Sequence, residues 1–577
     1  MSLGVVEAVP VDLEEGGLIL EWVQNYDPLG WPFGSTLLAA LPILFLLGLL
    51  VAGWSAPRAA GMGLAIALGV ATWGFGMPRD AAVAAAINGA AFGLLPIGWI
   101  VFGAVFLYHL TLRTGQFEIV KRSVAAISPD RRMQALLIAF SFGAFIEGAA
   151  GFGTPVAISS ALLIGLGFSP LPAAGLALLA NTSPVAFGAL GTPITTLSTT
   201  SGLSEFALSQ MAGRQLPFFS LVVPFWIVAM MSGWRGVVGC WPAIVVCGGS
   251  FAIIQFLTAN LHGPTLVDVA GGLGSMILLM LFLRVWQPKE IWKFPTEQRE
   301  EERLPLTRRD VVRAWIPWVL LSIAVFTWGW PEVKRALNGG SPEKPNLLAG
   351  VSSVTVPVPR LDGRVYRQSP VAHVVDESGR AESPESAKYT LNWLSATGTS
   401  IFIASIVSAF WLGVGPRDFV LQFLSTLYQV KEALLTIAFM LALAFVTKFS
   451  GADATLGLAF THSGWFYPFF APLLGWLGVA LTGSDTSSNA LFGSLQRITA
   501  EQLDLNSTLI VASNSTGGVM GKMIDAQSIV VAAVATKQHG SEGRILLYVL
   551  PHSIALAILM GLLTLAQAYP LEWMVPE

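Results

Sequence analysis

The chain has 577 residues, 54% hydrophobic and only 12% charged, with a mean hydropathy of +0.66 and a formal net charge of −3. No soluble globular domain averages that apolar over such a length, so the composition predicts an all-α polytopic membrane protein in a lipid bilayer. The near-neutral charge gives no case for nucleic acid. The two cysteines, Cys240 and Cys247, share one apolar segment with no nearby histidine, which argues against a disulfide framework and a metal site.

Residues 1–35 read as an extracytoplasmic polar segment carrying WVQNYDPLG (Trp22 to Gly30), without the apolar core of a cleavable signal. A first membrane repeat is expected over 36–233. Its spans are Thr36–Trp54, Ala59–Phe75 and Phe92–Leu112, the last preceded by the Ala-rich Ala81–Ala91. The loop after Leu112 carries Arg113, Lys121, Arg122, Arg131 and Arg132 and is read as cytoplasmic.

Two apolar arms, Gln134–Ile146 and Val156–Phe168, flank EGAAGFGTP (Glu147 to Pro155). Each has about thirteen residues where a span needs about twenty, so 134–168 is read as a re-entrant hairpin. The run 171–210 reads as one span broken by NTSPVAFGALGTP (Asn181 to Pro193), where glycine and proline cannot continue a helix. Irregular backbone at membrane depth is tolerated only when buried in protein or lining a watery cavity, so these two breaks point to a transport site.

Linking helices are expected over 236–286, then a charged cytoplasmic linker, 287–313, and a membrane helix, 314–330. The loop 331–388 is placed outside. Within it VTVPVPRLDGRVYRQ predicts a small β-hairpin about Asp362-Gly363. A second repeat, 389–568, has spans at Leu391–Leu412, Lys431–Phe449 and Ile545–Ala568. It also holds a hairpin, 465–503, with GSDTSSNALFGS (Gly483 to Ser494) at its tip. A helix over 507–537 follows, broken at NSTGGVMGKMIDAQS (Asn514 to Ser528). The tail is 569–577, and the total is about twelve spans plus two hairpins.

The breaks correspond in spacing: Pro155 and Pro193 are 38 residues apart, as are Asn489 and Gln527. The flank of the first hairpin is basic, whereas Ser450–Gly464 before the second has no Lys or Arg. The hairpins are therefore expected to enter from opposite faces as inverted repeats, with a site at their interface.

Half-helices beginning near Pro193–Ile194 and Gln527–Ser528 would offer backbone N–H groups and a positive dipole end, which suits a small carboxylate. The substrate-binding candidates at the hairpin tips are Gly151, Gly153, Thr154, Thr486, Ser487, Ser488 and Asn489. Those in the breaks are Thr182, Ser183, Gly191, Thr192, Asn514, Thr516, Lys522, Gln527 and Ser528. Ionisable residues at membrane depth are costly and mark function. They are His109, Glu147, Lys448, Asp485, Lys522, Asp525 and His552. Glu147 is the first choice for proton coupling, with Asp485 and Asp525 behind it. Lys522 either pairs with Asp525 or faces the substrate carboxylate. His109 and His552 are read as solvated interfacial histidines, and Lys448 as snorkelling.

Five motifs in order carry a resemblance. They are FIEGAAGFGTPVAI (Phe145–Ile158), NTSPVAFGALGTPI (Asn181–Ile194), LNWLSATGT (Leu391–Thr399), TGSDTSSNALFG (Thr482–Gly493) and GGVMGKMI with QSI (Gly517–Ile524, Gln527–Ile529). From about residue 22 to the C-terminus the chain resembles the L-lactate permease family of bacterial proton-linked 2-hydroxyacid transporters. The resemblance implies import of L-lactate, with D-lactate and glycolate beside it, together with H⁺ across the cell inner membrane. It implies no cofactor and no catalytic residue. Asn489 and Asn514 become candidates for the 2-hydroxyl. The looser superfamily analogy implies scaffold and transport domains, elevator motion and a homodimer. One departure stands out: Asp525-Ala526 replaces the family's Ser-Pro. The rival readings are a sodium-coupled carboxylate transporter, a passive channel, and a membrane-embedded enzyme, for which no HExxH or Ser-His constellation is present.

Overall fold

In lipid the backbone has no polar partner but itself, so apolar runs of this length become helices. The computed structural model describes residues 21–52, 54–125, 127–151, 154–293, 307–341, 344–372, 380–381, 384–538 and 541–576. Among these residues, six helices are long and apolar enough to cross a membrane, or seven if the bent pair Pro170–Ala180 and Val185–Ser201 is one span. The chain is a predominantly helical, multi-pass membrane protein. The expected twelve spans exceed that number. Part of the difference is Glu205–Leu261, counted once although it doubles back at Gly233 (φ 64°). Ser209 Oγ on one of its arms donates to Ala259 O on the other at 3.0 Å. Shorter apolar helices, Pro32–Leu46 and Thr397–Leu412 among them, make up more of it.

Lipid tails are as apolar as leucine, so helices associate here through close packing and hydrogen bonds rather than hydrophobic transfer. Small residues accordingly occupy the contacts. Gly89 lies on the backbone of Leu441, Gly93 on Ala438 and Gly272 on Phe145. Two large apolar cores result. One surrounds the first hairpin and the 205–285 helices; the other joins residues 39–101 to 437–456 and 490–495.

The connecting segments gather into two sets. In the first, Arg113 pairs with Asp418 at 2.6 Å, and Trp292 N donates to Asp130 Oδ2 at 3.0 Å. In the second, Trp22–Val23 pairs in parallel with Val365–Tyr366, Gln24 Nε2 donates to Phe449 O, and Gln502 Nε2 donates to Pro370 O. Helix Arg308–Gly329, 22 residues or about 33 Å long, joins them. Arg313 reaches Leu412 O near its start and Trp328 reaches Leu394 O near its end. The two sets therefore lie at opposite ends of the helices.

The β-hairpin expected about Asp362-Gly363 is not formed. Val354–Pro357 pairs antiparallel with Lys388–Leu391, and Val365–Tyr366 pairs with the N-terminal segment instead. Pro357 and Pro359 lack the N–H groups a two-strand ladder needs. Asp362 Oδ1 accepts from Ala387 N at 2.7 Å and fixes the intervening loop to a distant partner. Residues 1–20 of the N-terminal segment and 294–306 of the charged linker lie outside the described residues.

Candidate functional site

The first hairpin starts earlier than its apolar arm. Asp130 caps the helix by accepting from Arg132 N, and its side chain pairs with Arg132 at 2.7 Å. Arg131 and Arg132, expected as loop charges, are both buried, Arg132 on Asp130 and Arg131 with its Nη1 donating to Gln134 Oε1 at 2.6 Å. The first arm then runs over 131–150, longer than the thirteen residues expected, and ends at Gly151 (φ 58°, ψ −153°). This conformation is open to glycine and strained for other residues. The second arm, Thr154–Gly165, returns alongside, where Ser159 Oγ donates to Ile138 O at 3.2 Å.

The tip of this hairpin faces the first break. Pro170–Ala180 gives way to turns over 181–184 and a short 3₁₀ segment, Val185–Phe187. Ala189, Leu190 and Gly191 then form a left-handed turn with φ of 43°, 56° and 80°. Two of the three carry a Cβ, at a cost of roughly 1–2 kcal/mol each. A Cβ on Gly151 would lie 3.0 Å from that of Ala189, and one on Gly191 would lie 2.8 Å from the backbone of Pro264. Strain of this kind persists only where the surroundings over-determine it.

The second hairpin has arms Tyr467–Thr482 and Asp485–Gln502, joined at Gly483 (φ 74°) with Ser484 as N-cap. The next helix departs from expectation. Ser507–Gly521 is continuous through Asn514–Gly518, and only Lys522–Ile524 and Asp525 interrupt it before Ala526–Ala535. Its glycines serve contact rather than breakage. A Cβ at Gly517 would overlap Pro472 O, and one at Gly521 would overlap Trp476 O, both on the first arm of the hairpin. Asp525 makes the break: its Oδ1 accepts from Ser528 N at 2.7 Å and caps the second half-helix.

The two units exchange partners. Asp485–Gln502 packs on Gly188–Ser201, and Thr154–Gly165 packs on Ala526–Ala535. Asn489 Nδ2 donates to Pro193 O at 3.1 Å, Thr200 Oγ1 to Asn489 O at 3.1 Å, and Arg497 to Ser201 O at 2.8 Å.

Charge converges where these parts meet. Lys522 Nζ donates to Gly483 O at the second tip at 2.6 Å and lies 3.2 Å from Asp525 Oδ2. Glu147, in the first tip beside Gly188, is within electrostatic reach of Lys522 and Asp525. Asp485 is within reach of Lys522 and Glu147, and its Oδ2 accepts from Ser515 Oγ and Asn489 Nδ2. All four are buried. Among the described residues, Glu147 Oε2, Asp485 Oδ1 and the hydroxyls of Ser183 and Ser528 have no hydrogen-bond partner.

The remaining expected residues divide. Asn489 and Asn514 are spent on the chain itself: Asn514 Nδ2 donates to Asn489 Oδ1 at 2.9 Å, and Gln496 Nε2 donates to Asn514 Oδ1 at 3.2 Å. Both amides therefore already bond within the chain. Thr516 Oγ1 donates to Gln215, Thr182 and Thr192 donate to nearby carbonyls, and Ser488 Oγ bonds Gly475 O across the hairpin. Thr486 and Ser487 are buried at the start of their helix. Gly153 and the side chains of Thr154 and Gln527 lie outside the described residues. His109 and His552 are half-buried and bonded, to Thr426 Oγ1 at 3.2 Å and from Trp226 Nε1 at 3.0 Å, instead of solvated. Lys448 is half-buried below Gln24, which bonds its carbonyl.

Sequence reasoning passed over three buried polar residues. Asn181 opens the NTSP motif and lies beside Glu147, yet neither of its amide atoms has an aligned partner among the described residues. Asp268 lies one turn inside a span and was hidden by its nearness to the span's end. Asp453, which accepts from Ser494 Oγ, stands in a segment read only for its lack of cations. No group of three or more His, Cys, Asp or Glu side chains suited to a metal ion occurs among the described residues. A cavity of about 520 Å³ lies elsewhere, between the two arms of 205–261 and Trp573. Its lining is apolar apart from Arg214, and it holds none of the residues above.

The sequence profile described as L-lactate permease matches residues 35–571. The L-lactate permease of Salmonella typhimurium is 46% identical over 569 residues, covering 96% of this chain and 100% of that protein. The glycolate permease GlcA of Escherichia coli K12 is 45% identical over 565 residues, covering 96% and 99%. The L-lactate permease of Bacillus subtilis is 43% identical over 569 residues, covering 96% and 100%. Among solved structures, the YdaH transporter of Alcanivorax borkumensis aligns with a TM-score of 0.42 and 13% identity, over 85% of this chain and 88% of that one.

Proposed function

The chain belongs to the L-lactate permease family, a family of transporters and not of enzymes, and we propose that it is a secondary active transporter importing L-lactate by proton symport across the cytoplasmic membrane. D-lactate and glycolate are further substrates in this reading; the 45% identity to a glycolate permease supports the last of these. The observation that carries the coupling is charge balance. One buried lysine, Lys522, faces Glu147, Asp485 and Asp525. A buried charge without a partner costs several kcal/mol, so protons must complete the balance.

In this account the substrate carboxylate competes with Asp525 for Lys522 and is held by N–H groups of the hairpin tips, with the Ser183 and Ser528 hydroxyls free to assist. Glu147 carries the proton. The reciprocal packing of each hairpin on the other unit's second half-helix supports a pair of inverted repeats enclosing this site. Asp525 already caps its own half-helix, so the anion is held chiefly at Lys522 and the hairpin tips.

The test is uptake of labelled L-lactate into proteoliposomes in sodium-free buffer. With one proton per lactate, an outside-acid gradient of two pH units drives about 100-fold accumulation. Uptake that ignores the pH gradient and requires sodium would contradict the proposal.

A further inference from the structure

Asp268 is a buried carboxylate that the account so far leaves unused. It stands near the start of helix Val267–Val285, which follows the short turn Pro264–Leu266. Its side chain is 1% exposed, and neither carboxylate oxygen has a hydrogen-bond partner among the described residues. It packs on the first hairpin immediately beside Glu147. A Cβ placed on Gly148 would lie 2.7 Å from Asp268 Cβ and 2.8 Å from Val269 N. The absence of a side chain at Gly148 is what lets the two elements approach this closely.

Its position along the membrane normal follows from its neighbours. His262, six residues earlier, stacks on Phe326 at 5.0 Å, near the end of Arg308–Gly329 where Trp328 bonds Leu394 O. That end belongs to the segment set holding the 344–391 loop. The other end of Val267–Val285 leads to Glu290, whose carbonyl accepts from Arg132 in the opposite set. Asp268 thus lies about one helical turn, roughly 5 Å, inside the former face. Glu147 lies at the tip of a hairpin that enters from the latter.

Among the described residues, Glu147, from the hairpin arm, is the charged group within electrostatic reach of Asp268. His262 stands at the outer end of the same segment. Cys247, on the neighbouring arm of 205–261, is turned to Ser141. Glu205, at the start of Glu205–Leu261, accepts from Thr195 Oγ1 of the broken helix at 3.0 Å.

We propose that Asp268 is a second proton-carrying carboxylate, which receives the proton from the outer face and passes it to Glu147. The step is a single transfer. The O–H bond on Asp268 breaks, an O–H bond forms on Glu147, and the negative charge moves from Glu147 to Asp268, which is then reprotonated from outside. This rests on the proton-symport reading above and adds to it the route by which the proton arrives.

The experiment compares wild type, Asp268→Asn and Glu147→Gln in sodium-free proteoliposomes, measuring pH-driven accumulation of L-lactate and lactate–lactate counterflow separately. Wild type must first respond to the pH gradient; failure there removes the symport reading itself. With that response present, Asp268→Asn is expected to slow pH-driven uptake about 100-fold, the scale of a positioned proton transfer, and to keep counterflow. Wild-type accumulation by Asp268→Asn, or equal loss of both modes in a monodisperse protein, would overturn the relay. Should the asparagine variant not reach the membrane, Asp268→Glu carries the test. It is expected to retain uptake with a displaced pH profile, and an unchanged profile would overturn the relay.

Discussion

Lys522 and Asp525 illustrate how one residue can hold two duties. Asp525 caps Ala526–Ala535 through Ser528 N and pairs with Lys522 at 3.2 Å. Serine is an equally good cap, so Asp525→Ser should preserve the helix and keep uptake; complete loss in a transport assay would put the carboxylate in the mechanism. Asp525→Ala removes the cap and should lower stability by about 1 kcal/mol, read as a drop in thermal midpoint. Removing Lys522 alone leaves buried carboxylates without their cation, a loss of roughly 3–5 kcal/mol. The informative variant is Lys522→Met combined with Asp525→Ser, which removes both ends of the pair. It should be stably folded and fail to bind lactate. Near-wild-type uptake by the double variant would reduce Lys522 to the partner of Asp525.

Among elements, the turn at Gly151 and the first break fall where glycine and proline cannot continue a helix, whereas the second break is made by Asp525. What the sequence could not express was the purpose of each glycine. Gly151 and Gly483 take positive φ at the tips, whereas Gly517 and Gly521 stay helical and let the first arm of the second hairpin approach backbone to backbone. Both uses look alike in a string of letters. Only the partner, Pro472 or Trp476, tells them apart. The strand pairing of Val365–Tyr366 with Trp22–Val23 was invisible for the same reason: its partner lies far away in the chain. Gly517→Ala should overpack the contact, costing about 1–3 kcal/mol and reducing uptake, as thermal melts and transport assays would register. Ala189→Gly should instead be tolerated or stabilise by up to about 1 kcal/mol, since it relieves the left-handed turn. A loss of stability there would mean that the Ala189 side chain is needed for packing.

At the scale of the molecule, the connecting segments gather into two sets. Arg113 with Asp418, and Asp130 with Trp292, meet on one side; Gln24 with Phe449, and Gln502 with Pro370, meet on the other. Buried polar residues near span ends were the weak point, because Asp268 looks like an interfacial aspartate until its neighbour Gly148 is seen. The orientation is open to labelling. The chain's two cysteines are both buried. Ser169→Cys at the mouth of the first hairpin should react with a membrane-impermeant maleimide only after permeabilisation, and His462→Cys before the second should react in intact cells. Labelling of both from one side would refute opposite approach of the hairpins. The most direct measurement is a structure of the protein with L-lactate bound. The account predicts the lactate carboxylate within hydrogen-bond distance of Lys522 Nζ, between the tips at Gly151 and Ser484 and beside Glu147. Lactate bound away from Lys522, for instance at Arg214 in the apolar cavity, would contradict it.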